Sequence, residues 1–225
     1  MYECKPSPVR RSVALVIACL LGSPLSAAQG GGMSSAPLEL IVKFSSTSDA
    51  GRRVELLLHE GSQDLGSLAD AEVQLETATG VALTRERITS GREIVFSIPE
   101  RPLLEKVERG VARRADVESV ELEALQSGNP FLPSARLRVR FRPSSGAFER
   151  VNRAHGDDAR ADDVRELAAE IGAASGVPVI GVAQPQGVLE LVVDRPALLE
   201  TLSTRVNDLD EVDYAQVNAT MQIMK

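Results

Sequence analysis

The sequence predicts an α+β protein made of two tandem ferredoxin-like βαββαβ domains, each a four-stranded antiparallel sheet with two helices on one face. Two observations carry this prediction. Short segments of the chain recur in the same order at offsets of 94 to 97 residues. Within each copy, apolar residues alternate between the two-residue period of strands and the longer period of helices.

Four collinear matches define the repeat. Residues 40–44 recur as 137–141, 78–81 as 174–177, 100–105 as 194–200, and 117–120 as 212–215. Chance similarity of apolar runs does not explain four matches in the same order at nearly the same offset. The matches divide the chain into a first domain at 37–126, a linker at 127–133, and a second domain with a C-terminal tail at 134–225.

Each copy opens with a strand followed by a helical stretch. Alternating apolar residues predict strands at 38–44 and, in the second copy, at residues 137–141, where Arg138 and Arg140 occupy the opposite face. In the second copy the helical spacing comprises Val164, Leu167, Ala168 and Ile171, with Asp162 or Asp163 as its cap. Gly80 and Gly176 are expected to end these helices, as glycine commonly does.

A hairpin, a second helix and a last strand complete each copy. The hairpins pair 81–88 with 93–98, and a preceding strand with 188–193 after the turn at 184–187. The second helices open near Pro102 and Pro196, where an early proline is tolerated. The last strands are expected at 117–125 and 212–219. In this order both helices cover one side of the sheet and leave the other side open.

The N-terminus has the pattern of an export signal. Arg10 and Arg11 precede an apolar run at 13–21, and small residues at 26–28 suit a cleavage site. We therefore expect a signal peptide at 1–28, a flexible leader at 29–36, and an exported protein that is periplasmic or secreted. The apolar run is shorter than a membrane span requires. Lipoprotein anchoring at Cys19 stays open as an alternative.

Composition excludes several classes of function. The full chain of 225 residues has a net charge of −7; without residues 1–28 it has 22 basic and 31 acidic residues, a charge of −9. This balance argues against nucleic-acid binding, which depends on phosphate attraction. Cys4 and Cys19 both lie in the predicted signal, so the exported chain would contain no disulfide, thiol nucleophile or thiolate metal ligand.

The sequence offers no recognised catalytic arrangement, metal site or cofactor motif, and we expect a protein that is not an enzyme. His59 and His155 lie 96 residues apart and are predicted near equivalent turns of the two copies. Either could act as a pH-sensitive group, or both could be exposed residues kept by duplication. The acidic residues after His155 lack the ligand spacing of a calcium loop.

Several short motifs resemble subtilisin-type propeptides and the free protease inhibitors related to them. The first strand at 40–44 and the last strand at 117–121 carry the resemblance in the first copy. In the second copy, Val-Asp-Tyr-Ala-Gln-Val-Asn at 212–218 resembles the family's Val-Glu-Tyr-Ala-Glu-Pro-Asn ending and departs from it at Gln216 and Val217. No protease domain follows in this sequence.

The resemblance implies a tandem ferredoxin-like propeptide pair that binds a subtilisin-like serine protease without being an enzyme. The open sheet face would contact the protease, and the segment after the last strand would enter its cleft. The expected protease-binding residues are Tyr214, Gln216, Asn218, Thr220, Met221, Gln222, Ile223 and Met224. Arg138, Arg140 and Glu190 are expected to share the open face with them, and Lys225 to be dispensable.

A second interpretation remains open. Tandem ferredoxin-like domains also serve as adaptors or small-molecule-binding modules, here of the cell envelope.

Overall fold

The secondary-structure elements follow the predicted order in both halves of the chain. The computed structural model describes residues 38–62, 64–125, 132–155 and 160–218. The first half contains β1 (Leu38–Phe44), α1 (Asp49–Glu60), α2 (Ala69–Thr79), β2 (Thr84–Ile88), β3 (Ile94–Ile98), α3 (Glu100–Val111) and β4 (Val117–Ala124). The second contains β5 (Ala135–Phe141), α4 (Gly146–Ala154), α5 (Ala161–Ser175), β6 (Val179–Gln184), β7 (Val188–Val193), α6 (Arg195–Asn207) and β8 (Val212–Val217).

The helical stretch after the first strand is divided into two helices in each half, where the sequence pattern indicated one. Serine side chains begin the first of them: Ser48 accepts a hydrogen bond from the Gly51 N–H at 3.0 Å, and Ser145 accepts one from the Phe148 N–H at 3.1 Å. As expected, Gly80 and Gly176 end the second helices in the left-handed conformation. Asp162 and Asp163 lie in the first turn of α5 rather than at its cap.

Both sheets are four-stranded and antiparallel with the ferredoxin-like order, but each contains strands from both halves. Sheet A has the order β2-β3-β1-β8, and sheet B has the order β4-β5-β7-β6. The last strand of each half has therefore been exchanged into the other sheet. The α+β class and the two sheets are as predicted, whereas the expectation that residues 37–126 and 134–225 each fold as a contiguous domain is corrected by this pairing.

The helix that precedes each exchanged strand packs against the same sheet as that strand. Helix α3 packs against α5 and against strands β4, β5 and β7 of sheet B, while α6 packs against α2, β1 and β8 of sheet A. Each exchanged unit is thus a helix followed by a strand. The unit α3-β4 of the first half belongs to sheet B, and the unit α6-β8 of the second half belongs to sheet A. The Arg205 guanidinium donates to the Thr79 carbonyl oxygen at 2.9 Å, fastening α6 to the end of α2.

Chain connectivity explains the exchange. Strands β4 and β5 follow one another along the chain and pair as a hairpin from Ala124 opposite Ala135 to Val117 opposite Phe141. Consecutive strands usually pair, and closing a short loop loses less entropy than joining β4 to the distant β1. The segment expected to be a linker between domains is therefore part of a hairpin connection, and β8 pairs with β1 instead.

The two exchanged segments cross at equivalent positions of the repeat. Glu100 begins α3 and is only 5% exposed. One of its carboxylate oxygens accepts from the Arg195 guanidinium at 2.7 Å, and the other accepts from the N–H and hydroxyl of Ser134, both at 2.6 Å. Arg195 begins α6 and also donates to the Leu132 carbonyl oxygen at 2.9 Å. A buried ion pair thus joins the starting points of both exchanged units.

The core is mainly aliphatic, includes buried phenylalanines, and is continuous between the sheets. Leu40, Val42 and Phe96 under sheet A and Leu137, Val139 and Phe141 under sheet B belong to one cluster of buried side chains. Apolar residues of α3 and α6 are also buried, including Leu104, Val107, Leu198 and Leu202. Over the described ranges, no helix has the length and apolar character that a bilayer span requires.

Candidate functional site

The side of sheet A away from the helices forms a candidate binding surface where the chain leaves β8. We call it the exit face and define it by Glu39, Ile41, Lys43, Tyr214 and Gln216; Val95 of β3 lies beside them on this side of the sheet and is fully buried. The strand register brings them together: Ile41 lies between Val95 and Gln216, and Lys43 lies opposite Tyr214. Leu40 and Val42 alternate with them and are fully buried against the helices.

Tyr214 is held in place on this face by charged neighbours. Its hydroxyl donates to the Glu93 carboxylate, and Lys43 Nζ lies 5.7 Å from the centre of its ring. Thr89 Oγ1 donates to the other Glu93 oxygen at 2.5 Å. The hydrogen bonds from Thr89 and Tyr214 lower the pKa of Glu93, and the bond to Glu93 raises the pKa of Tyr214. The tyrosine is therefore a neutral, oriented ring at neutral pH.

Glu39 fixes the point at which the chain leaves the sheet. Its backbone oxygen accepts from the Asn218 N–H at 3.3 Å, and its carboxylate accepts from the Asn218 side-chain amide. Arg87 donates to the same carboxylate at 3.1 Å. Burial alone raises the pKa of Glu39, but the bonds from Arg87 and Asn218 outweigh it, so the pKa lies below its usual value. The charged carboxylate thus anchors the residue that precedes 219–225.

The outer edge of β8 is already occupied over part of its length. The Asn207 side chain accepts from the Ala215 N–H at 2.6 Å and donates to the Ala215 carbonyl oxygen at 3.0 Å, and the Ser203 hydroxyl donates to that same oxygen at 3.0 Å. Because these side chains use the outward backbone groups of Ala215, an added strand cannot pair there. A binding partner at this point would contact the face of β8 rather than its edge.

Strand exchange separates two groups of residues that the sequence placed together. Tyr214, Gln216 and Asn218 lie along β8 and just beyond it in sheet A, whereas Arg138, Arg140 and Glu190 lie in sheet B. The expectation of one shared open face is therefore wrong.

The arginine residues of sheet B are engaged with acidic neighbours. Arg138 pairs with Glu123 at 3.2 Å and with Glu190 at 3.4 Å, and Arg136 pairs with Glu123 at 2.7 Å. Arg140 lies opposite Ser119 and Val188. The charges of Arg138 and Glu190 neutralise each other, so this face presents little net charge to a partner.

Residues of β8 alternate between the two sides of sheet A. Ala215 is buried toward the helices, while Tyr214 and Gln216 lie opposite Lys43 and Ile41 on the other side. Thr220, Met221, Gln222, Ile223, Met224 and Lys225 lie outside the described residues, as do the predicted signal peptide with Cys19 and the leader.

Sequence reasoning missed the first-half partners of β8. Glu39, Lys43 and Glu93 contact the predicted site, but only the knowledge that β8 pairs with β1 brings them there. The alternation of β1 already placed Glu39, Ile41 and Lys43 on an outward face. The missing information was which sheet receives the last strand.

The described residues were also compared with the requirements of a metal site and with the positions predicted for the two histidines. Among the described residues, no group of three or more His, Cys, Asp or Glu side chains could hold a metal ion. His59 lies in the last turn of α1 and His155 follows α4, so both occupy the helix-end turn predicted for them. Comparison of the chain with family models, curated proteins and solved structures finds no match.

Proposed function

We propose that this protein is an exported, non-enzymatic inhibitor or folding helper of a subtilisin-like serine protease. The exit face would lie on the protease, and residues 220–225 would enter the substrate cleft. The observation that supports this proposal best is the anchoring of Asn218 by Glu39, because it holds the end of β8, from which the proposed tail would extend, against β1.

The chemistry of the exit face suits a protein partner. Tyr214 offers a rigid ring whose hydroxyl and face are both oriented, a residue type enriched at the centre of protein interfaces. Ile41 provides apolar area beside it, and Lys43 and Glu93 provide charges at its border. The occupied edge at Ala215 directs the partner to the face and to the tail.

The test is titration of the protein against several subtilisin-class proteases, with residual hydrolysis of a chromogenic peptide as the readout. We expect stoichiometric inhibition of at least one enzyme. Deletion of 220–225 should abolish inhibition, and deletion of Lys225 alone should leave it unchanged. Full activity of every enzyme, accompanied by ordinary digestion of the protein, would contradict the proposal.

A matched pair of surface variants separates the exit face from sheet B. Tyr214→Ala should weaken inhibition by at least about tenfold, the usual effect of removing a central interface tyrosine. Arg140→Ala, on the outward side of sheet B, should leave inhibition within about twofold of wild type. If the tail deletion instead leaves binding of a small molecule or another protein intact without any protease inhibition, the adaptor interpretation replaces this proposal.

A further inference from the structure

Strand β6 differs from the other edge strands of the two sheets. Strand β2 carries three charged residues and a bulge, β4 carries three glutamates, and β8 carries Asp213. In contrast, β6 is Val-Ile-Gly-Val-Ala-Gln with no charge and no shift of register against β7. Charges and bulges on edge strands prevent sheets from joining edge to edge. Strand β2 of the first half is therefore protected against edge-to-edge pairing, whereas the equivalent strand β6 of the second half is not.

The outward side of β6 is also apolar. Ile180 is 50% exposed and Val182 is 57% exposed, and both lie on the side of sheet B away from the helices. Val192 lies opposite Ile180 on the neighbouring strand. An uncharged edge therefore adjoins an exposed apolar strip.

The direction of the backbone groups of β6 follows from its pairing with β7. The Asp194 N–H donates to the Pro178 carbonyl oxygen at 2.9 Å, which makes 178 and 194 a hydrogen-bonded pair in the register that continues through β6. Because such pairs alternate in antiparallel sheets, the N–H and C=O groups of Val179, Gly181 and Ala183 point away from β7. The His155 ring nitrogen 3.4 Å from the Ala183 oxygen agrees with this assignment.

From these observations we propose that the protein forms a two-fold symmetric dimer in which β6 pairs antiparallel with β6 of a second copy. With the axis at Gly181, the outward groups of Gly181 bond to those of its counterpart, and Val179 faces Ala183 of the other copy. The exposed His155 ring, 3.4 Å from the Ala183 oxygen, would move aside in the dimer. The same register places Ile180 opposite Val182 across the axis, so both apolar side chains are covered. The two sheets B become one continuous eight-stranded sheet.

Charge complementarity beside β6 favours a second copy over an unrelated strand. A groove of about 490 Å³ lies next to β6, between α5 and α6, and is lined by small and aliphatic residues together with Arg165 and Asp194. Helix α5 runs opposite to β6, so Arg165 lies toward the Ala183 end. Asp194 follows Val193, which pairs with Val179, and so lies toward the other end. The two-fold axis would therefore bring Asp194 of each copy toward Arg165 of the other.

The test measures oligomeric state by sedimentation equilibrium of the full chain, together with hydrogen exchange of the Gly181 amide. We expect a reversible dimer and slow exchange at Gly181 under dimeric conditions. Val182→Lys should raise the dimer dissociation constant by at least about tenfold, because symmetry introduces the change twice. The matched control is Val73→Lys on α2, an equally exposed valine at 59%, which should leave dimerisation unchanged.

A protein that stays monomeric up to about 100 μM would overturn the proposal. So would a dimer that Val182→Lys leaves intact, or a dimer in which the Gly181 amide exchanges as fast as an unpaired one. Circular dichroism of both lysine variants establishes that they are folded. Because the β6 edge lies in sheet B, a result against the dimer would not contradict the proposed role of the exit face in sheet A.

Discussion

Changing Glu100 to glutamine would test the junction between the two exchanged segments. The glutamate is 5% exposed, bonds to Arg195 at 2.7 Å, and accepts two bonds from Ser134. Glutamine has the same size and keeps one carbonyl oxygen for Ser134. It removes the charge that compensates Arg195, whose side chain is only 14% exposed.

The expected loss of stability follows from the burial of both Glu100 and Arg195. Removing one member of a buried ion pair commonly destabilises a protein by about 3–5 kcal/mol, because the other charge remains buried without compensation. The Leu132 carbonyl still accepts from Arg195, and Ser134 keeps a partner, so we expect about 2–4 kcal/mol for Glu100→Gln. In a protein of this size that corresponds to a fall in Tm of roughly 4–16 °C.

The measurement is urea unfolding at pH 7 followed by circular dichroism, with Glu105→Gln as the matched control. Glu105 lies on the same helix and pairs with Arg101 at 3.1 Å, but both side chains are exposed. Its loss should change the free energy of unfolding by no more than about 0.5 kcal/mol. Equal effects of the two substitutions, or a Glu100→Gln protein as stable as wild type, would refute the reasoning.

The same pair predicts a pH dependence. Burial alone raises the pKa of Glu100, but hydrogen bonds from Arg195 and Ser134 bring it below its usual value. Its charged form therefore stabilises the fold above the unfolded-state pKa of about 4.3, and this contribution is lost as the pH falls through the lower folded-state pKa. The stability difference between wild type and Glu100→Gln should accordingly shrink as the pH is lowered from about 5 toward 3.

Further predictions concern two helix glycines and the exit-face tyrosine. A Cβ at Gly51 would lie 2.0 Å from a backbone oxygen, so Gly51→Ala should lower the free energy of unfolding by about 1–3 kcal/mol in thermal unfolding. A Cβ at Gly110 would have nothing within 4 Å, so Gly110→Ala should raise the free energy of unfolding by about 0.5–1 kcal/mol. Absorbance titration of Tyr214, in a Tyr2→Phe background, should show a pKa above that of a free tyrosine that falls on Glu93→Gln; an unchanged value would contradict the assigned hydrogen bond.

Local features of the fold could be predicted from the sequence because they depend on nearby residues. The alternation in β1 gave its bounds and its buried face, and Gly80 and Gly176 ended helices as expected. The division of each first helical stretch was missed, although Ser48 with Gly61 in the first half marks a complete short helix. Capping residues were more informative there than apolar spacing.

Strand exchange could not be deduced from periodicity. Strands β4 and β8 are equivalent in the repeat and have similar apolar patterns, so each could pair with the first strand of either half. The sequence does contain one useful signal. Glutamates alternate along β4 and arginines along β5, and the structure pairs Glu121 with Arg138 and Glu123 with Arg136 across the sheet. Opposite charges on facing strands favour this hairpin, and β8 then pairs with β1. When this charge pattern is not considered, the sequence assigns the wrong neighbouring residues to the candidate site.

The exchange predicts which engineered cysteines can form a disulfide. Val42 lies opposite Ala215 in sheet A, while Val120, the repeat equivalent of Ala215, lies opposite Val139 in sheet B. The hydrogen bond between Asn218 and Glu39 makes Val42 and Ala215 a non-hydrogen-bonded pair, with Cα atoms about 4.5 Å apart. That separation falls within the range that a disulfide bridges.

The most direct test of the exchanged fold is disulfide formation in two double variants, with Cys4 and Cys19 changed to serine. Val42→Cys with Ala215→Cys should oxidise to an intramolecular disulfide, seen by mass spectrometry and by faster migration on a non-reducing gel. Val42→Cys with Val120→Cys should remain reduced in the folded monomer. The opposite result, a disulfide in the second variant and free thiols in the first, would show that each half keeps its own last strand.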